Sequence, residues 1–531
     1  KENLEKGELD DGNPDKGFYL IKFVEQGYAF TIQDCRGTGK SEGMYKPWIG
    51  DAEDGYEYVE WIYRQEWCSG KIGSLGPSNF GFVHLLTASM RPPHLTCIVP
   101  MGTDCAMPFF KNGILQLGGS SIWYIQQAYN SAVRGGMDPE RFQRMDEKFR
   151  KIRENMDEQY NWLPLREVPF ANVEEVDMEL FFHEFMEHLD DSAHWTGIHN
   201  PCDIININVP VLFITNWYDH LAPNVFDMYR TMKNHGTPFV QENLRLYIGP
   251  WRKYAGIEGT SEGLWDHGRT LFDVVIDWFD YWLKGKPNGM MERPPVFLHT
   301  MGKVEWGYRS SWPLEEAVPV RYFLSSSKGA NSVRGDGCLS EKMPENGKDE
   351  FDYDPMHPVQ SRTGLVIHPG DSLRQSQAVV EEREDVLVYS TDVLENELTV
   401  IGRIRAHLWA STSAVDTDFT AKLVDVLPDG ETYSLCEGIV RGHVKNGLDK
   451  PELLIPGAVY EYDIEMSATG MVFGKGHRIR LEIASSNFPK HDRNMNTGHP
   501  CGVDKEGIIA HQTVYHDAQH PSFLELPVVP A

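Results

Sequence analysis

Residues 71–88, KIGSLGPSNFGFVHLLTA, restrict what this chain can fold into more than any other stretch. An apolar, strand-like run ends at Leu75, a turn runs from Gly76 to Gly81, and a helix-like run follows at once. A strand that passes so abruptly into a helix belongs to an alternating α/β arrangement, where helices cover a parallel sheet. The flanking sequence keeps that rhythm. YAFTIQD (28–34) reads as a buried strand. DGYEYVEWIYRQ (54–65) sets Tyr58, Val59, Ile62 and Tyr63 at helical spacing, and LTCIVP follows a helix broken by Pro92 and Pro93.

From residue 101 to about 201 the pattern turns to helices rich in aromatic and charged residues. The alternation then resumes with a strand in VPVLFITNWYDH (209–220), a helix over 224–232, the strand LRLYIGPW (244–251) and a helix over 270–283. The helical block is therefore expected to be an insertion, placed as a cap over the α/β domain. After about Pro319 the helices vanish. Short alternating runs such as VRYFLSS, LTVIGRIRAHLWAST, AVYEYDIEMSA and HRIRLEIASS are separated by turn signals, among them Pro428-Asp429-Gly430. That pattern predicts an all-β sandwich of jelly-roll type. The expected division is an α/β domain over 1–100 and 202–300, a helical cap over 101–201 and a β-sandwich over 319–531. The first strands of the sheet are expected to precede residue 1.

A chain of 531 residues accommodates roughly three domains. Its formal charge of −28 argues against nucleic acid or an anionic membrane surface as a partner, since both call for clustered Lys and Arg. The eight cysteines are scattered without a CxxC pair, which suits a reducing, cytoplasmic location and offers neither a disulfide framework nor a zinc site. No apolar run is long enough to span a bilayer, and the polar first residues lack a signal peptide's apolar centre. Two motifs fail on inspection. RGTGKSEG has Asp34 where a phosphate loop needs Gly. HEFMEH separates His183 from His188 by five residues, about 140° around a helix, so the two do not converge on a metal. No cofactor and no metal are expected. The expected partner is a small-molecule substrate, and oligomeric state, a homo-oligomer included, is left open.

An α/β sheet places its active site at the carboxyl ends of its strands, and three strand ends here carry reactive side chains. Ser78 follows Leu75 in a Gly-x-Ser-x-x-Gly turn, Asp219 follows the strand 211–215, and a third strand leads into GPWRKYAG (249–256). An isolated serine between strand and helix is ordinarily an N-cap. A serine in a strained elbow is a nucleophile, and it needs small flanking residues to let strand and helix approach. Gly76 and Gly81 supply them, and the order Ser then Asp favours the nucleophile. The helix start would then offer the N–H of Asn79 to an oxyanion.

The segments GYAFTIQDCRGTGKSEG, DGYEYVEWIYRQEWCSGKIGSLGPSNFG, VPVLFITNWYD, IGPW, DWFDYWLKG, SSNFPKHDRNMNTG and HQTVYHDAQHPSFLELPVVP span almost the whole sequence. Through them the chain resembles the cocaine-esterase-like (CocE/NonD) and X-prolyl dipeptidyl-aminopeptidase hydrolases. The resemblance implies an α/β-hydrolase domain with a helical cap and a C-terminal jelly roll, and a Ser-Asp-His triad that cleaves esters or amides of small molecules or short peptides. Carried over by position, Ser78 is the nucleophile and Asp219 the acid.

Three departures stand out. Asn79 replaces the Tyr usual after the nucleophile. Lys253 occupies the place of the catalytic His in the family's GPWxH. A second oxyanion donor, a Tyr, would lie upstream of the sequence given. A histidine of ordinary pKa about 6.5 accepts and returns a proton at neutral pH, whereas a lysine near 10.4 stays charged beside a carboxylate. Lys253 and Asp219 are thus expected to pair, with hydrolysis weak or altered. His220 lies in the right loop, although adjacent residues rarely orient one another as acid and base. His84 is expected to pack against the sheet, while His491 falls in a jelly-roll loop that the family brings near the catalytic domain. Gln33 and Trp217 complete the candidate site, and aromatic residues such as Trp217, Tyr218, Trp195 and Trp123 fit a core equally well. Two readings follow. One is an enzyme acting on an ester, amide or thioester acyl bond through Ser78 with an atypical base. The other is a repurposed acyltransferase, cyclase, isomerase or lyase, or a catalytically silent binding protein.

Overall fold

Four parallel strands organise the first of two units, residues 1–105 with 200–297; residues 106–199 with 298–531 form the second. The computed structural model describes residues 21–530 apart from 39, 44, 106–108, 135–136, 176–178, 190–201, 251–268, 304 and 363–375. Along the first unit run α1 (Asp51–Tyr63), β1 (Ile72–Pro77), α2 (Asn79–Ser89), β2 (Leu95–Met101), β3 (Val211–Asn216), α3 (Ala222–His235), β4 (Leu244–Gly249) and α4 (Leu271–Lys284). The strands lie in the order β1-β2-β3-β4, each parallel to its neighbour. Every residue of β3 and β4 is buried, as strands in a sheet covered on both faces are, and buried Arg245 of β4 donates to the carbonyls of Glu242, Leu244 and Met291. Register aligns the strand ends: Pro77 sits opposite Met101, and Met101 opposite Ile214.

Local chemistry sets the helix limits. Asp51, Glu53 and Asp54 occupy the first turn of α1, where the helix dipole favours negative charge. Thr270 and Asp273 form a reciprocal capping box at the start of α4, which Gly285 ends in a left-handed conformation at φ 69°. One expected element is absent. Residues 28–34 join no ladder among the described residues, and Ala29, Ile32, Gln33 and Asp34 are exposed. An alternating run becomes a strand only where a neighbour takes its N–H and C=O groups. Here a side chain does the anchoring instead, Tyr28 donating its hydroxyl to Asp280 Oδ1 of α4 at 2.6 Å.

The second unit combines helices Leu117–Arg134, Pro139–Glu154, Met156–Asn161 and Glu179–Glu187 with a mainly antiparallel β assembly of jelly-roll type. Its longest strand, Leu398–Thr412, pairs with Tyr460–Phe473 and turns Ile404, Ala406, Leu408 and Ala410 inward. A buried ion cluster ties the inserted residues to the β strands. Arg441 grips Asp418 through two 2.9 Å hydrogen bonds, donates to the Gly113 carbonyl at 2.9 Å and reaches Asp492 at 3.1 Å. Asp492 in turn accepts the Leu115 amide at 2.9 Å. All eight cysteines are unbridged. Among the described residues no helix is long and apolar enough to cross a membrane, and no group of His, Cys, Asp and Glu side chains could hold a metal ion.

Candidate active site

Ser78 sits between β1 and α2 at φ 53° and ψ −126°, and its side chain makes no capping hydrogen bond. A cap serine has extended backbone and bonds the helix's free N–H groups. This serine does neither. A non-glycine residue held at positive φ costs on the order of 1–3 kcal/mol and survives where its surroundings enforce it. Those surroundings are explicit: the Ser78 amide donates to the Met101 carbonyl at 2.8 Å, and its carbonyl accepts from Phe82 N at 3.1 Å and Thr103 Oγ1 at 2.7 Å. The glycines of the turn are required by closeness. A methyl on Gly76 would stand 2.6 Å from Phe80 Cβ, and one on Gly81 would stand 2.7 Å from the Gly76 carbonyl oxygen. His84 packs beneath the same turn, 2.9 Å from where that Gly76 methyl would be, and burial pushes its imidazole down to about 4.

Asp219 lies in the loop after β3, 4% exposed. Its Oδ1 accepts the Leu221 amide at 3.0 Å, while Oδ2 faces Gly102 so closely that a methyl there would sit 2.4 Å away. Gly102 takes φ 44°, and its amide donates to the Ile214 carbonyl at 2.8 Å. Residues 101–103 therefore touch both sides of the site. Met101 and Thr103 hold Ser78, and Gly102 makes room for the Asp219 carboxylate. Next in sequence, buried Asp104 accepts a hydrogen bond from Asn224 of α3.

The other predicted site residues divide. Asn79 opens α2, so its amide is among the N–H groups that the helix leaves without an internal partner. His220 stands beside Asp219, Nδ1 3.4 Å from Oδ1 and the side chain 31% exposed. Trp217 is 2% exposed and packs on Phe226 with centroids 6.1 Å apart. Gln33 is exposed and shares none of these contacts. His491 belongs to the second unit, its amide on the Asn487 carbonyl at 3.0 Å. Lys253 lies outside the described residues, as does Trp195. Sequence reasoning missed Gly102, Thr103 and Trp48, the last of which donates its indole N–H to Asn79 Oδ1. The MGTDC that ends β2 was the available signal, because β2 lies between the strands that deliver Ser78 and Asp219.

Residues 2–254 match the X-Pro dipeptidyl-peptidase (S15 family) model, and residues 288–525 match the X-Pro dipeptidyl-peptidase C-terminal non-catalytic domain. The chain is 32% identical over 530 residues to the cocaine esterase of Rhodococcus sp. (strain MB1 Bresler), covering 96% of this chain and 89% of that protein. Two solved structures share the fold. An aminopeptidase from the marine sediment archaeon Thaumarchaeota archaeon aligns with TM-score 0.78 at 21% identity, over 96% of this chain and 87% of its own. An α-amino acid ester hydrolase aligns with TM-score 0.77 at 22% identity, with the same coverage, 96% and 87%.

Proposed function

The chain belongs to the X-Pro dipeptidyl-peptidase (S15) family together with the cocaine-esterase-like hydrolases, and on that premise we propose that it hydrolyses an ester or amide bond of a small molecule through Ser78. One observation carries the reading: Ser78 is held at positive φ with its side chain uncommitted to capping. Its Oγ attacks the acyl carbon, and the carbonyl oxygen, now negative, is received by the Asn79 amide at the start of α2. The Oγ proton passes to the imidazole of His220; although adjacent residues rarely act together in this way, its Nδ1 lies 3.4 Å from Asp219 Oδ1, close enough for the carboxylate to stabilise its positive form. The imidazole returns that proton to the departing alkoxide or amine. Water then cleaves the acyl-serine by the same route, regenerating Ser78 and releasing the acid.

Lys253, at the family's histidine position, favours a second reading. With a charged lysine in place of a neutral imidazole, the fold would serve a reaction without an acyl-serine, or binding alone. Fluorophosphonate labelling separates the two. A covalent adduct mapped to Ser78 and lost in Ser78→Ala supports hydrolysis; folded, unlabelled protein supports the second reading.

A further inference from the structure

Trp48 lies three residues before α1, is only 3% exposed, and takes φ 63°, a backbone region that bulky residues rarely adopt. Its contacts hold it there. Its amide donates to Asp51 Oδ2 at 3.0 Å, its ring packs on Phe82 of α2 with centroids 5.6 Å apart, and its indole N–H donates to Asn79 Oδ1. Strain of this kind persists where neighbours enforce it and gathers at functional sites. Two strained non-glycine residues, Trp48 and Ser78, thus meet at Asn79, one through a side-chain hydrogen bond and the other through the peptide bond. The indole can only donate, so the Asn79 oxygen must face it and the carboxamide cannot turn over without losing the bond. Phe82 of the same helix carries the indole ring, so Trp48 grips the first turn of α2 at two points.

We propose that Trp48 is a positioning residue of the oxyanion hole, fastening Asn79 so that its main-chain N–H stays aimed at the acyl oxygen beside Ser78. The inference rests on the hydrolytic reading of Ser78. It assigns to Asn79 two separate duties, an amide that meets the substrate and a side chain that is held. Asn79 is therefore more than a tolerated replacement for the family's tyrosine.

The test compares Trp48→Phe, which keeps a packing ring but loses the N–H, with Asn79→Leu, which removes the acceptor and keeps the backbone amide. The readouts are hydrolysis of p-nitrophenyl acetate and the rate of fluorophosphonate labelling at Ser78. Either change is expected to lower kcat and the labelling rate about tenfold with KM within twofold, because a misplaced donor weakens the transition state more than the ground state. The double variant is expected to lose no more than the worse single one. Wild-type kcat in folded Trp48→Phe, or losses that multiply in the double variant, would overturn the inference. If Trp48→Phe does not fold, Asn79→Leu with unchanged kcat would overturn it equally. Failure of the underlying reading is distinct, since the unaltered protein would then take no label at Ser78.

Discussion

Thr103 donates its hydroxyl hydrogen to the carbonyl oxygen of Ser78 at 2.7 Å, joining the end of β2 to the elbow after β1. The threonine side chain is buried, so the bond is shielded from competing water. Thr103→Val keeps the shape and deletes the bond. It is expected to lower stability by about 1 kcal/mol and kcat several-fold, read by thermal unfolding and ester hydrolysis. Unchanged kcat would show that the elbow holds Ser78 without this tie.

Gly102→Ala should be more damaging to activity than its size suggests. The new methyl would meet Asp219 Oδ2 at 2.4 Å, at a residue whose φ of 44° already disfavours a side chain. The carboxylate must move, and a displacement of about 1 Å at a catalytic group costs around a hundredfold in rate. Steady-state kinetics on a protein shown to be folded by circular dichroism would test this. A loss confined to stability would count against Asp219 as the acid.

The proton acceptor can be assigned by two reciprocal variants. His220→Gln is expected to lower kcat by at least a hundredfold if the imidazole accepts the Ser78 proton. Lys253→His places an imidazole at the position that the resemblance assigns to the family's histidine and is expected to raise ester hydrolysis. If His220→Gln is indistinguishable from the unaltered enzyme, the base lies elsewhere.

Asp51 predicts a stability profile with an unusual slope. Burial is the main cause that raises its carboxyl from 3.8 to about 6. Between those values the folded state holds a proton that the unfolded chain has released. The stabilising contribution is therefore full below about pH 4 and is lost as pH rises through about 6. Asp51→Asn retains an acceptor for the Trp48 amide and carries no charge. It should be more stable than the unaltered protein at pH 7–8 by up to about 3 kcal/mol, the gap closing near pH 4. A gap that does not change with pH would refute the assignment.

In the second unit, Arg441→Leu should be severely destabilising. It leaves the buried carboxylates of Asp418 and Asp492 without the guanidinium that both contact, a change that typically costs 3–5 kcal/mol. Denaturant unfolding would measure it. A loss under about 1 kcal/mol would show that the guanidinium is not what holds these buried carboxylates in place.

By itself the sequence determined the strand–turn–helix at Ser78, the order of Ser78 before Asp219, and the change from α/β to all-β pattern. These depend on spacing along the chain. Apolar residues recurring at period 3.6 or 2 mark a buried face wherever they occur, and Gly76 and Gly81 marked a turn too tight for side chains. The same spacing misled at residues 28–34, because a period says which face is apolar and not whether a neighbouring strand is there to pair. Tertiary structure alone decided what surrounds the serine. Gly102 against Asp219, Thr103 on the Ser78 carbonyl and Trp48 on Asn79 join residues far apart in sequence. The first two depend on the parallel register that brings the ends of β1, β2 and β3 together, and the third on the packing of Trp48 against Phe82 of α2. Hydrogen-bond partners across such distances leave no periodic trace, since any polar residue at a strand end looks alike until the sheet is assembled.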